Sequence, residues 1–215
     1  MATALRWAVI ANPVAGRGRG TKLGGQVSRL LRRAGMDVDP LWTSRPGDGE
    51  RLASLAVKEG AQGLLVCGGD GTLHEVVNGL YHSSEHPEEV PLGIAPAGRC
   101  NDFRGCLGLP KDPERIVDAV VDGAVRRVDL GRIGDRYFAT VATLGFDSAV
   151  GQYVADGRSP FFLSGTPAYL YSLFVQLLSY RDVRVKLKGD SVDFEGDVFL
   201  AATGNTPSYG GKMKI

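Results

Sequence analysis

The residues able to do chemistry lie in three glycine-rich segments. The first is Gly68-Gly69-Asp70-Gly71-Thr72, followed by Leu73 and His74. Three glycines within four residues let the backbone take positive φ and come close to a ligand. A helix behind them would offer free N–H groups and the positive end of its dipole, which favours phosphate. The Asp70 carboxylate would serve those phosphates either through Mg2+ or as a proton acceptor. Asp70 and Thr72 are also helix-capping residues, and capping can coexist with phosphate contact. The second segment runs Asn12-Pro13-Val14-Ala15-Gly16-Arg17-Gly18-Arg19-Gly20. It is not a Walker loop, because Gly20-Thr21-Lys22 has the wrong order, and it is not a GxGxxG fingerprint either. No acidic residue occurs from Met1 to Met36, whereas Arg6, Arg17, Arg19, Lys22, Arg29, Arg32 and Arg33 are basic. This bias suits an electropositive rim for a nucleotide or an anionic membrane, with Arg29, Arg32 and Arg33 read as a solvated helix face. The third segment is Gly98-Arg99-Cys100-Asn101-Asp102, in which Asn101 and Asp102 either start a helix or shape a ligand site.

Strand-like runs precede all three segments. Residues 6–11, 63–67 and 92–96 are short and apolar, and 38–43 reads as a further strand. Helical periodicity covers residues 22–34, 48–59, 73–81 and 112–122. Alternating strands and helices with short glycine-rich links predict an α/β fold with a doubly wound parallel sheet. Ligands bind along the carboxyl edge of such sheets, where the three segments would converge. After residue 124 the pattern turns antiparallel. Gly134-Asp135 reads as a hairpin turn, and residues 182–188 and 192–202 alternate. The expected division is an α/β domain over 1–127 and a β-rich domain over 128–215. Between the later strands, residues 167–180 form an apolar helix read as buried against the sheets, with an apolar wall for a lipid as the other reading.

Composition removes several functions. The 215 residues carry 25 Lys+Arg against 24 Asp+Glu, a net charge of +1, which excludes a polybasic nucleic-acid binder. An apolar content of 43% is enough to bury a core. Residues 167–180 fall short of the roughly 20 needed to span a bilayer. Cys67, Cys100 and Cys106 lack metal-ligand spacing and read as reduced thiols of a cytoplasmic protein.

The order and spacing of Asn12–Gly18, Gly68–Gly79 (GGDGTLHEVVNG) and Pro96–Phe103 resemble the diacylglycerol kinase catalytic domain, and more closely the soluble bacterial lipid kinases of that family, relatives of sphingosine and ceramide kinases. Thr143–Asp147 and Gly204–Gly211 resemble segments of the family's second domain. GGDGT is shared with NAD kinases, which makes an NAD kinase-like phosphotransferase the alternative, with a catalytically incomplete nucleotide-binding chain as a third reading. The resemblance implies a Rossmann-like, NAD-kinase-like ATP-binding domain followed by an antiparallel β-sandwich. It implies a kinase that moves the γ-phosphate of ATP, with Mg2+, to the hydroxyl of diacylglycerol or a similar lipid alcohol in the cleft between the domains. By carry-over, Gly68, Gly69, Asp70, Gly71, Thr72, Leu73 and His74 wrap the ATP phosphates, and Asn12 and Gly16 support them. Thr43 contacts nucleotide, Gly98, Arg99, Asn101 and Asp102 shape the cleft, and Asp70 acts on the Mg2+–phosphate assembly. The implied partners are ATP, a lipid substrate, a membrane surface met transiently from the cytoplasm, and a second copy in a homodimer. Arg99 stands where the family usually has Thr. The family's later Asp-Gly-Leu metal segment and late acidic base have no counterpart before Ile215, so the chain is expected to be a fragment of a longer kinase.

Overall fold

The computed structural model describes residues 5–156, 158, 160, 166–189, 192–209 and 213–214. Two compact units emerge: Met1–Thr140 with Gly204–Ile215, and Val141–Thr203.

The first unit is built on four parallel strands. These are β1 (Arg6–Ala11), β2 (Asp37–Trp42), β3 (Gly63–Gly68) and β4 (Leu92–Pro96), in the order β2-β1-β3-β4. The helices between them are α1 (Arg19–Arg33), α2 (Asp48–Lys58) and α3 (Asp70–Ser83). After β4 come a short helix, α4 (Asp102–Cys106), and α5 (Pro113–Val121). Every residue of β3 is buried, as expected for a central strand covered on both faces. On one face Ala8, Ile10, Leu64 and Val66 pack with Leu52, Leu73, Val76 and Leu80 of α2 and α3. On the other, Trp7, Val9, Leu65 and Cys67 pack with Val27 and Leu31 of α1 and with Ile116 and Val117 of α5. Strand order reverses between β1 and β3, so the loops leaving these two strands diverge and open a crevice at the carboxyl edge.

Helix α3 starts at Asp70 rather than near residue 73, with Gly69 as its N-cap. Asp70, Gly71 and Thr72 therefore form a first helical turn instead of a free loop. Helix α4 begins within the third segment, with Asn101 at its N-cap in the left-handed region (φ 55). The hairpin at Gly134-Asp135 is present but short, joining β5 (Gly131–Ile133) to β6 (Arg136–Phe138). Buried Asn78 fixes it to α3: its amide nitrogen donates to the His74 and Tyr137 carbonyls at 2.8 and 2.9 Å, and its oxygen accepts from Tyr137 N–H at 2.9 Å. The same unit contains β11 (Ser208–Tyr209) and β12 (Met213–Lys214), which pair antiparallel.

The second unit contains β7 (Val141–Gly145), α6 (Phe146–Ala155), α7 (Thr166–Ser179), β8 (Val183–Gly189), β9 (Val192–Val198) and β10 (Leu200–Gly204). Strand β10 pairs with β7, and β8 forms a hairpin with β9. Phe146 stacks on Phe199 at 4.6 Å, with Tyr180 edge-on to both. The sequence reading of α7 as a buried helix is corrected. Among its described side chains Ser172 is buried, while Leu170, Phe174, Leu177 and Leu178 are exposed, and the helix packs on α6. Helix α6 is an addition to the sequence reading. No described helix is long and apolar enough to cross a membrane.

Candidate functional site

The loops after β1, β2, β3 and β4 enclose a cleft of about 410 Å³ at the carboxyl edge of the sheet. Asn12 begins one wall. Its backbone N–H still follows the sheet, donating to the Cys67 carbonyl at 2.9 Å. Its side chain turns in two directions: Oδ1 accepts from Val14 N–H at 3.1 Å, and Nδ2 donates to Thr72 Oγ1 at 3.1 Å. One asparagine thereby shapes its own loop and ties that loop to the first turn of α3. Thr72 is buried and cannot easily leave this partner.

The floor is formed by two glycines in contact. A Cβ on Gly98 would lie 2.4 Å from the Gly69 Cα, and one on Gly69 would lie 3.1 Å from the Gly98 Cα. No other residue type permits this approach without displacing backbone. Ala97 and Gly98 N–H both donate to the Gly68 carbonyl, at 2.9 and 3.1 Å. Asn101 closes the turn beyond them, with Oδ1 accepting from Gly98 N–H at 3.1 Å and Nδ2 donating to the Gly98 carbonyl at 2.9 Å. Gly16 (φ 58) is also close-packed, since a Cβ there would fall 2.0 Å from the Ala97 carbonyl oxygen. Gly71 differs: a Cβ there would meet nothing within 4 Å, so its openness faces the cleft rather than the protein.

Of the residues singled out from sequence, Asn12, Thr43, Gly69, Gly71, Thr72 and Gly98 line the cleft. Gly16, Gly68 and Asn101 stand behind it as backbone supports. Leu73 belongs to the hydrophobic core, a consequence of the helix starting at Asp70. His74 is half-buried, and burial, then Arg136, hold its imidazole below the usual histidine range. Asp70 points along the sheet edge toward α4, where its Oδ1 accepts from Phe103 N–H at 3.4 Å. Arg99 is exposed, and Asp102 sits in the first turn of α4. The structure adds Ser44, Arg45 and Glu75 to the lining. Glu75 shares a face of α3 with Gly71 and Thr72, four and three residues earlier, and that spacing was available in the sequence.

The profile of the diacylglycerol kinase catalytic domain matches residues 6–133. The chain belongs to that family. Diacylglycerol kinases of Staphylococcus carnosus and Mycobacterium tuberculosis are 32% and 36% identical to it over 207 and 214 residues, covering 96% of this chain and 66% of each relative. The chain thus spans just under two thirds of the length of these curated relatives. A crystal structure described as a diacylglycerol kinase from Bacillus anthracis superposes with a TM-score of 0.68 at 24% identity, covering 98% of this chain and 68% of that one. A second structure from the same organism gives a TM-score of 0.72 at 23% identity, covering 100% and 69%. These likenesses show that the fold is that of the family.

In this diacylglycerol kinase family member the wall opposite the glycine loops is held by carboxylates. Asp48, at the start of α2, accepts from the Ser44 hydroxyl and N–H at 2.6 and 2.8 Å, from Arg45 N–H at 3.2 Å and from Arg51 Nε at 3.3 Å. These bonds, the Ser44 hydroxyl first, hold its carboxyl well below the usual carboxylate range. Glu75 reaches across from α3 and accepts from Gly47 and Gly49 N–H at 2.9 and 2.8 Å, satisfying free donors at the start of α2. The Thr43–Pro46 wall is therefore fixed to α3, and the width of the cleft is set by side chains that are already bonded. A cleft with approachable glycine backbone and a helix N-terminus suits a phosphate chain.

Proposed function

We propose that the protein is an ATP- and Mg2+-dependent lipid kinase that phosphorylates the hydroxyl of diacylglycerol or a similar lipid alcohol, giving a phospholipid such as phosphatidic acid. The observation that carries this reading is the Gly69–Gly98 contact beneath open Gly71 at the start of α3, inside a cleft at the strand-order reversal. The residues fit a nucleotide triphosphate. Gly69, Gly71 and Thr72 offer backbone and hydroxyl donors, Asn12 holds Thr72, and Thr43 and Ser44 supply polar groups on the facing wall. Mg2+ would neutralise phosphate charge during transfer, and Asp70 is the carboxylate proposed to act on that assembly. The protein's task is chiefly to clamp and orient, since phosphoryl transfer asks for little covalent help. Action on a lipid implies transient contact with a membrane surface from the cytoplasm, and a homodimer is the proposed assembly.

Transfer of label from [γ-32P]ATP tests this. Wild-type protein and Asp70→Asn are compared on diacylglycerol in mixed micelles and on NAD in buffer, each with Mg2+. Labelled lipid, lost in the mutant, is the expected result. Label on NAD instead of lipid would assign the protein to the NAD kinase-like alternative.

A further inference from the structure

We propose that Arg19 is a positioning residue that clamps the loops after β1 and β4 and thereby sets nucleotide affinity; the proposal rests on the nucleotide reading of the cleft. Arg19 opens α1, one residue beyond Gly18, whose φ of 91 redirects the chain. Its guanidinium bonds three carbonyls on two loops. Nε donates to Gly16 at 3.2 Å, and Nη2 donates to Ala97 at 3.2 Å and to Gly98 at 2.9 Å.

The consequence follows from the planarity of the peptide unit. In a trans peptide the C=O and the N–H of the next residue point in opposite directions. The Ala97 carbonyl faces Arg19, and the N–H of the same peptide, on Gly98, faces the Gly68 carbonyl at 3.1 Å. One peptide plane is thus held from both sides, by a cation and by the end of β3. Gly98 is the residue whose Cα occupies the space that a side chain on Gly69 would need. Arg19 therefore orients the floor of the cleft while remaining behind it: Gly98 lines the cleft and Arg19 does not. A planar fork suits this arrangement, and a lysine ammonium of equal charge does not reproduce it.

The test compares wild type, Arg19→Lys, Arg19→Gln and the exposed-face control Arg29→Gln. Three quantities are measured: MgATP affinity by calorimetry, melting temperature, and amide hydrogen exchange in residues 12–20 and 97–101. The expected result is about tenfold weaker MgATP binding in Arg19→Lys, as for losing part of a charge-assisted hydrogen-bond set. Exchange should be faster in both loops, with little change in melting temperature and no effect of Arg29→Gln. Unchanged affinity in Arg19→Lys overturns the proposal. Weaker binding with unchanged exchange also overturns it, since the arginine would then act as a direct charge. Wild-type protein that fails to bind MgATP refutes the nucleotide reading itself, while the exchange measurement still reports whether Arg19 clamps the loops.

Discussion

Placing a methyl group on Gly98 attacks the floor of the cleft directly. In Gly98→Ala the new Cβ would lie 2.4 Å from the Gly69 Cα, 2.9 Å from Asn101 Oδ1 and 3.1 Å from the Gly69 N. Non-bonded carbon atoms rest about 3.5–4.0 Å apart, so the Gly69 backbone must retreat by more than about 1 Å. Overpacking of this kind costs about 1–3 kcal/mol. The retreat also loosens the bonds from Ala97 and Gly98 N–H to Gly68, at about 1 kcal/mol each. A total of about 3–5 kcal/mol corresponds to a fall in melting temperature of about 6–20 °C for a chain of this size. Gly71→Ala is the counterpart. Its methyl meets no protein atom, and alanine is the better helix former by about 0.5–1 kcal/mol, so the fold should hold or gain. MgATP affinity should nevertheless fall on the order of tenfold or more, because the methyl occupies ligand space beside donors to a charged group. Calorimetry for MgATP and urea unfolding of both variants separate the two effects. A Gly98→Ala protein with wild-type stability would contradict the close-packed floor, and a Gly71→Ala protein with wild-type affinity would contradict a ligand seated at Gly71.

Other expectations concern the supports of the site. Asn78→Leu should destabilise the first unit by about 2–4 kcal/mol, because the Tyr137 N–H and carbonyl lose their buried partner; urea unfolding measures it. The Asp48 carboxyl is lower in the folded state than in the unfolded chain, so its contribution is full above the unfolded value of about 3.9 and fades as pH falls below it. Asp48→Asn should therefore flatten the loss of stability on acidification below about pH 4, seen in unfolding curves across that range. Burial pushes the Cys67 thiol up to about 12, whereas Cys100 and Cys106 are exposed. Intact mass after iodoacetamide should show two adducts on native protein and three in urea, and a third adduct on native protein would contradict the buried placement.

Most of the central sheet is readable from sequence because β1, β3 and β4 are short apolar runs with glycine, proline or asparagine at their ends, β3 most clearly, whereas β2 carries Asp37, Asp39 and Pro40. The convergence of the loops follows from strand direction, and their glycines mark the places where backbone meets backbone. The start of α3 is harder to place because Gly68–Thr72 has a turn's composition, and tertiary contacts from Asn12 and Gly98 make it a helix. That displacement sends Leu73 into the core and turns Glu75 toward the cleft. Asp48 and Glu75 look like ordinary helix charges, since nothing local shows that they bond amide groups across the wall. Helix α6 is obscured in the sequence because Gly145 before it and Gly151 within it blur the helical period. The exposed face of α7 could not be foreseen, because periodicity shows that a helix is apolar but not which of its faces a neighbour covers.

An amide-resolved NMR titration with MgATP tests the phosphate-cleft reading most directly. The largest shifts are expected at Asn12, Thr43, Gly69, Gly71, Thr72 and Gly98, with the sheet interior unmoved. Saturating MgATP that leaves these amides unchanged, or that moves a different face of the first unit, would contradict that reading.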